Sequence, residues 1–163
     1  MKTLLILRHA KSSWKDPGMT DHARPLNARG KHDAPRIGHL LRDQGLQPDL
    51  ILSSTAKRAR STAKRVVEGG ELICSPQLLD ELYMASADTY IDVLRQQPTV
   101  YERILVIGHN PGLEELVLVL TGTSLALPTC ALVQIEFEID TWFEMPNNGV
   151  GQLVAHWQPR ELA

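Results

Sequence analysis

Arg8 and His9 follow directly on the apolar run Leu4-Leu5-Ile6-Leu7, and His109 follows Ile104-Leu105-Val106-Ile107-Gly108. A histidine beside an arginine at the end of a buried stretch is suited to phosphoryl chemistry. A neutral imidazole attacks phosphorus through one ring nitrogen when the other gives its proton to a fixed acceptor, and at a strand end a backbone carbonyl can be that acceptor. Guanidinium forks match phosphate oxygens in a bidentate way, and their permanent charge keeps a neighbouring imidazole neutral. His9 is therefore the candidate nucleophile, with Arg8 and His109 as candidate phosphate ligands. A third stretch, Ser53 to Ala63, carries the basic residues Lys57, Arg58 and Arg60, with Lys64 and Arg65 just beyond it. Ser12 and Asn110, close behind the two histidines, either hydrogen-bond the phosphate or cap a turn or helix.

These side chains need a scaffold that brings distant strand ends together. Short apolar runs bounded by polar segments read as buried strands, and polar groups just past their carboxyl ends lie where open α/β sheets bind ligands. The pattern predicts strands over residues 3–8, 49–53, 71–74, 102–108, 131–139 and 152–157. Helical spacing predicts helices over 55–67, ending at Gly69-Gly70, over 86–97, and over 112–120, closed by Gly122. A further helix runs up to Gly45, and Pro35 places its regular start near Asp33. Lys11 to Arg24 forms a long polar loop over the first strand's end, turning at Asp16-Pro17-Gly18. The last two strands pair antiparallel across residues 140–151, so the α/β sandwich has a mixed sheet. With 163 residues, 43% of them hydrophobic, the chain 1–163 reads as one domain.

A net charge of -2 and a pI near 6.3 give no basic field for nucleic acid, and the acidic balance disfavours a membrane surface. No apolar run is long enough to span a membrane, and the N-terminal one stops at Arg8 with no cleavage site behind it. Cys74 and Cys130 read as isolated reduced thiols, which together point to a cytoplasmic protein. His22, His32, His39 and His156 lack metal-ligand spacing and read as structural, so neither a metal nor another cofactor is expected.

The Leu4–Ser12 and Ile104–Gly112 stretches, with Ser53–Ala63 between them, resemble the histidine phosphatase superfamily, whose motif is Arg-His-Gly with a second Arg and a second His. The match is to its small SixA-type branch. Pro25-Leu26-Asn27-Ala28-Arg29-Gly30 is similar to that branch's Pro-Leu-Thr-x-x-Gly, so the resemblance extends over nearly the whole chain. Ala10 stands where Gly is commonest, and Asn27 where Thr is usual, a position it can still serve as a helix cap. The resemblance implies a phosphoglycerate-mutase-like, three-layer α/β/α sandwich with a mostly parallel mixed sheet and no capping insert. It also implies a covalent phosphohistidine on His9. The family's two serines followed by Arg-Ala fall on Arg58, which leaves Arg60 and Lys64 as a solvated face.

Larger relatives carry a proton donor in the region of Glu81, with Asp80 beside it; either residue reads equally well as a helix-start or surface carboxylate. Arg58 and His109 lie 51 positions apart, and a strand and a helix use most of these, so little is left for a lid. An uncapped site admits a phosphorylated side chain on a folded protein, and the resemblance implies a phosphohistidine-bearing signalling or phosphotransfer protein as partner and substrate. Lys11, Trp14 and Lys15 then form either a basic, aromatic rim or simple loop packing. A phosphohistidine leaving group would need no dedicated acid. Two other readings stand beside this one: a phosphatase of small phosphate esters with a working acid at Glu81 or Asp80, and a non-catalytic module that binds phosphoproteins. The joint presence of Arg8, His9, Arg58 and His109 disfavours the last.

Overall fold

The computed structural model describes residues 1–162. The first apolar run forms β1 (Lys2–Arg8), with Leu4 and Ile6 in one core cluster and Leu5 and Leu7 in another. Burial on both faces is why the run is continuously apolar instead of alternating. The chain continues through α1 (Ala28–Asp43), β2 (Leu50–Ser54), α2 (Lys57–Gly70), β3 (Gln77–Leu79), α3 (Ala87–Arg95), β4 (Arg103–Gly108), α4 (Gly112–Thr121), β5 (Leu132–Phe137) and β6 (Gln152–Trp157). The sheet order is β3-β2-β4-β1-β5-β6. β1 to β4 pair in parallel, while β5 and β6 add antiparallel at one side. Ile37 and Leu41 of α1 with Ala63 and Val66 of α2 cover one face; Tyr90 and Ile91 of α3 with Leu113 and Val117 of α4 cover the other. The result is a three-layer α/β/α sandwich on a mixed sheet.

The helix expected from near Asp33 begins a turn earlier, at Ala28. Asn27 caps it, its side chain accepting from the Gly30 backbone N–H at 2.9 Å. Pro35 lies inside the helix, where a proline costs about 3 kcal/mol against alanine. Tertiary packing offsets this loss: a Cβ on Gly38 would sit 2.2 Å from the Val66 carbonyl oxygen, and one on Gly69 2.3 Å from that of Pro35. Gly69 and Gly70 therefore do not end α2. They lie in its last turn and let α1 approach, and Glu71 is the left-handed cap, with φ of 51°.

The strand expected at residues 71–74 is absent for a related reason. After Glu71 turns the chain, Leu72 enters the core beneath α1 and α2 while Ile73 is fully exposed. The edge strand forms three residues further on, at Gln77–Leu79, parallel to β2. In the β5–β6 connection, expected as plain loop, a 3₁₀ turn at Trp142–Glu144 is held by a capping box between Thr141 and Glu144. The Trp142 indole N–H donates to the Tyr101 carbonyl at 2.7 Å. Among the described residues no helix is long and apolar enough to cross a membrane.

Candidate active site

β1, β4 and β2 are adjacent parallel strands, in register at Arg8 with Gly108 and at Ser53 with Ile107, so their carboxyl ends meet at one edge. The chain delivers His9 after β1, His109 after β4, and Ser54 at the end of β2. α2 starts just beyond and carries Arg58 in its first turn. The N-termini of α2 and α4 lie at this edge, and helix N-termini favour anions.

A cavity of about 280 Å³ opens there, and Arg8, His9, Ser12, Arg58, His109 and Asn110 all line it. The His9 Nδ1 lies 2.7 Å from the Ala10 carbonyl oxygen. A carbonyl only accepts, so Nδ1 carries the proton and Nε2 keeps its lone pair. His9 is buried, and its pKa is lowered to about 3, first by desolvation and then by the charges of His109, Arg58 and Arg8; the Ala10 bond opposes the shift. His109 stands with its ring centroid 5.1 Å from that of His9. Desolvation, followed by Arg58, lowers its pKa to about 4. Its Nε2 meets the Ser54 hydroxyl at 2.8 Å, and its backbone N–H donates to the Tyr90 phenol oxygen at 3.2 Å. Both imidazoles are neutral around pH 7.

Arg8 donates through Nη1 to the Leu127 carbonyl at 3.0 Å. Arg58 gives Nη1 to the Asp21 carbonyl at 2.7 Å and Nη2 to the Asp21 carboxylate at 3.0 Å. Yet Arg8 Nε, Arg58 Nε and His109 Nδ1 are buried without a hydrogen-bond partner among the described residues. Buried polar atoms without partners are rare in folded proteins. All three belong to side chains lining one cavity, and the two guanidinium nitrogens among them are donors suited to a multiply charged oxyanion. Ser12 Oγ is already engaged, accepting from Arg24 Nη1 at 2.6 Å. The Asn110 amide donates to Leu127 O at 2.8 Å and leaves its Oδ1 buried and unpaired.

Glu81 and Asp80 do not join this group: both are exposed on a 3₁₀ turn at Asp80–Leu82, and neither lines the cavity. The lining carboxylate is Asp21, which sequence reasoning missed. It accepts from the Tyr83 hydroxyl at 2.5 Å, from Arg58, and from Arg24 at 3.2 and 3.1 Å. The Tyr83 bond, followed by the arginines, holds Asp21 well below the usual carboxylate range. Arg24, also missed, stacks its guanidinium 3.6 Å from the Trp14 ring centroid. The only sequence signals for this pair were the length of the loop before Pro25 and its position over a strand end. Trp14 and Met84, both lining residues, are 73% and 59% exposed. His22 is a supporting residue, its Nε2 3.0 Å from Thr55 Oγ1 and its ring edge-on to Tyr83 at 4.8 Å.

Among the described residues no cluster of three or more His, Cys, Asp or Glu side chains could hold a metal ion. Both cysteines are free, and burial pushes the Cys130 thiol up to about 12. A second cavity of about 320 Å³, along β5 beside Glu136, Phe137 and Ile139, contains none of the arginines or histidines above.

The model of the histidine phosphatase superfamily (branch 1) matches residues 4–110. An uncharacterized chloroplastic protein of Arabidopsis thaliana is 32% identical over 152 residues, covering 88% of this chain and 70% of that protein. A structure from Agrobacterium tumefaciens, assigned as the phosphohistidine phosphatase SixA, superposes with a TM-score of 0.83 at 30% identity, over 97% of this chain and 98% of that one. The protein histidine phosphatase SixA solved with tungstate shares the fold at the same TM-score, with 22% identity over 98% of each chain. The chain belongs to branch 1 of the histidine phosphatase superfamily.

Proposed function

We propose that this histidine-family phosphatase removes the phosphoryl group from phosphohistidine on a partner protein, through a covalent intermediate on His9. The observation that carries the reading is the His9 ring, tied at Nδ1 to Ala10 O with Nε2 free, among side chains whose buried nitrogens have no protein partner. In the first step the Nε2 lone pair forms a bond to phosphorus while the substrate's P–N bond breaks. The electron pair leaves with the substrate imidazole. Water then attacks the phosphorylated His9, releasing inorganic phosphate and restoring the ring. Arg8, Arg58 and His109 surround the non-bridging oxygens, where charge develops during transfer. Asn110 lines the same space as a secondary polar contact, and Ser12 acts through Arg24.

The carboxylates favour phosphohistidine over an ester. Glu81 lies outside the cavity, and Asp21, which lines it, is held ionised and so offers no proton to an alkoxide. A phosphoimidazole protonated on its far nitrogen needs no such donor, because it departs as neutral imidazole. The exposed Trp14 and Met84 at the mouth, with Lys11 on the lining, suit contact with a folded protein surface. The similarity to the Agrobacterium SixA structure supports the same substrate class. Two free cysteines agree with a reducing, cytoplasmic setting.

Turnover of a phosphohistidine-bearing protein against an aryl or sugar phosphate ester, by wild type and Glu81→Gln, tests the reading. The expected result is a strong preference for phosphohistidine that ignores the Glu81 change. Preferred esters and a crippled Glu81→Gln enzyme would install the small-ester phosphatase in its place.

A further inference from the structure

His9 and His109 face the same cavity, yet phosphoryl transfer needs opposite things from them. One must present a lone pair and the other a proton. For His9 the carbonyl of Ala10 decides the matter, because it can only accept. For His109 the partner of Nε2 is a hydroxyl, which can do either, so the tautomer depends on where the serine proton goes.

Ser54 is fully buried at the end of β2. Among the described residues its Oγ has two partners: the backbone N–H of Ala56, which donates to it at 3.2 Å, and His109 Nε2 at 2.8 Å. If Nε2 carried the imidazole proton, Ser54 would accept twice and its own buried proton would have no acceptor. The unpaired His109 Nδ1 lone pair would then belong to a ring lining a cavity suited to an anion. If Ser54 donates to Nε2, the serine is satisfied, and the ring's single proton sits on Nδ1, the buried atom with no protein partner, where a bound phosphoryl oxygen can accept it. The first arrangement strands a buried donor whether or not an anion is bound, the second only until the anion binds, which selects the second arrangement.

We infer that Ser54 is a positioning residue that locks His109 in the Nδ1–H tautomer, making it a hydrogen-bond donor to the phosphoryl oxygens and not a base. The inference rests on the reading of the cavity as a phosphoryl site. It assigns the two imidazoles opposite duties through one rule, that the partner behind each ring sets what the ring shows in front. In water an isolated histidine side chain favours the Nε2–H tautomer, so Ser54 works against the intrinsic preference.

Long-range ¹H–¹⁵N spectra of the full chain with ¹⁵N-labelled histidine, assigned with a His109→Gln variant, read the tautomer directly. Wild type should show His109 as Nδ1–H around neutral pH, with its signal perturbed by inorganic phosphate or vanadate. Ser54→Ala should move His109 toward Nε2–H and weaken vanadate binding roughly tenfold, about the worth of one hydrogen bond to an anion. An Nε2–H tautomer in wild type overturns the inference without need of any variant, as does a Ser54→Ala protein that keeps Nδ1–H. An Nδ1–H ring indifferent to both phosphate and vanadate would leave the tautomer standing and overturn the phosphatase reading.

Discussion

Acidification should destabilise this protein in a window set by its two site histidines. An unperturbed histidine titrates at 6.5, whereas in the fold His9 titrates at about 3 and His109 at about 4. As pH falls below 6.5 the unfolded chain takes up protons on these rings and the folded one does not. Stability present above that value is therefore lost progressively, down to about 4 for His109 and about 3 for His9. Between about pH 7 and about pH 5 the linkage relation gives a loss of about 2 kcal/mol per histidine, or about 4 kcal/mol for the pair. Both rings are almost wholly buried, at 6% and 2% exposure, so solvent screening gives little relief. That loss is a large share of a typical domain's total stability, about 5–15 kcal/mol. Urea denaturation at the two pH values, on wild type and on a His9→Gln/His109→Gln double variant, measures it. A wild-type stability flat across the window, or a double variant that falls as steeply as wild type, would refute the assignment of buried neutral rings.

Arg58→Ala should weaken phosphate binding and lower kcat/KM together by roughly a hundredfold, the scale of losing one transition-state donor, in steady-state assays with product inhibition by phosphate. Gly38→Ala should destabilise the fold by about 1–3 kcal/mol in denaturant melts, because its Cβ would collide with the Val66 carbonyl across the α1–α2 contact. Asn27→Ala should cost about 1 kcal/mol in the same melts by removing the α1 cap, and Asn27→Thr should recover most of it.

The strand ends were legible because parallel strands buried on both faces write themselves as continuous apolar runs. β1 and β4 thus announced the places of Arg8, His9 and His109. Asn27 was legible as a cap, but the helix start was not, because a proline penalty weighed alone outranks a gain that appears only when α2 packs on α1. Gly69 and Gly70 misled in the same way: glycines that allow close helix packing look like glycines that stop a helix. β3 is three residues long with a single partner, too short for any periodic pattern, and the apolar residues ahead of it went to the core and to solvent instead. Asp21 and Arg24 escaped because loop side chains acquire direction only from tertiary contacts, here with Arg58, Tyr83 and Trp14. Ser54 was visible as one of two adjacent serines, but its meaning depends on a hydrogen bond across 55 residues of sequence.

His9 is the residue proposed to carry the phosphoryl group. Rapid acid-free quenching of the enzyme during turnover of a ³²P-labelled phosphohistidine protein, followed by mass spectrometry, looks for that species. An acid-labile, alkali-stable phosphate is expected on the peptide containing His9 and is absent from His9→Ala, which should also fail to turn over. Normal turnover by His9→Ala, or phosphate found on another residue, would contradict it.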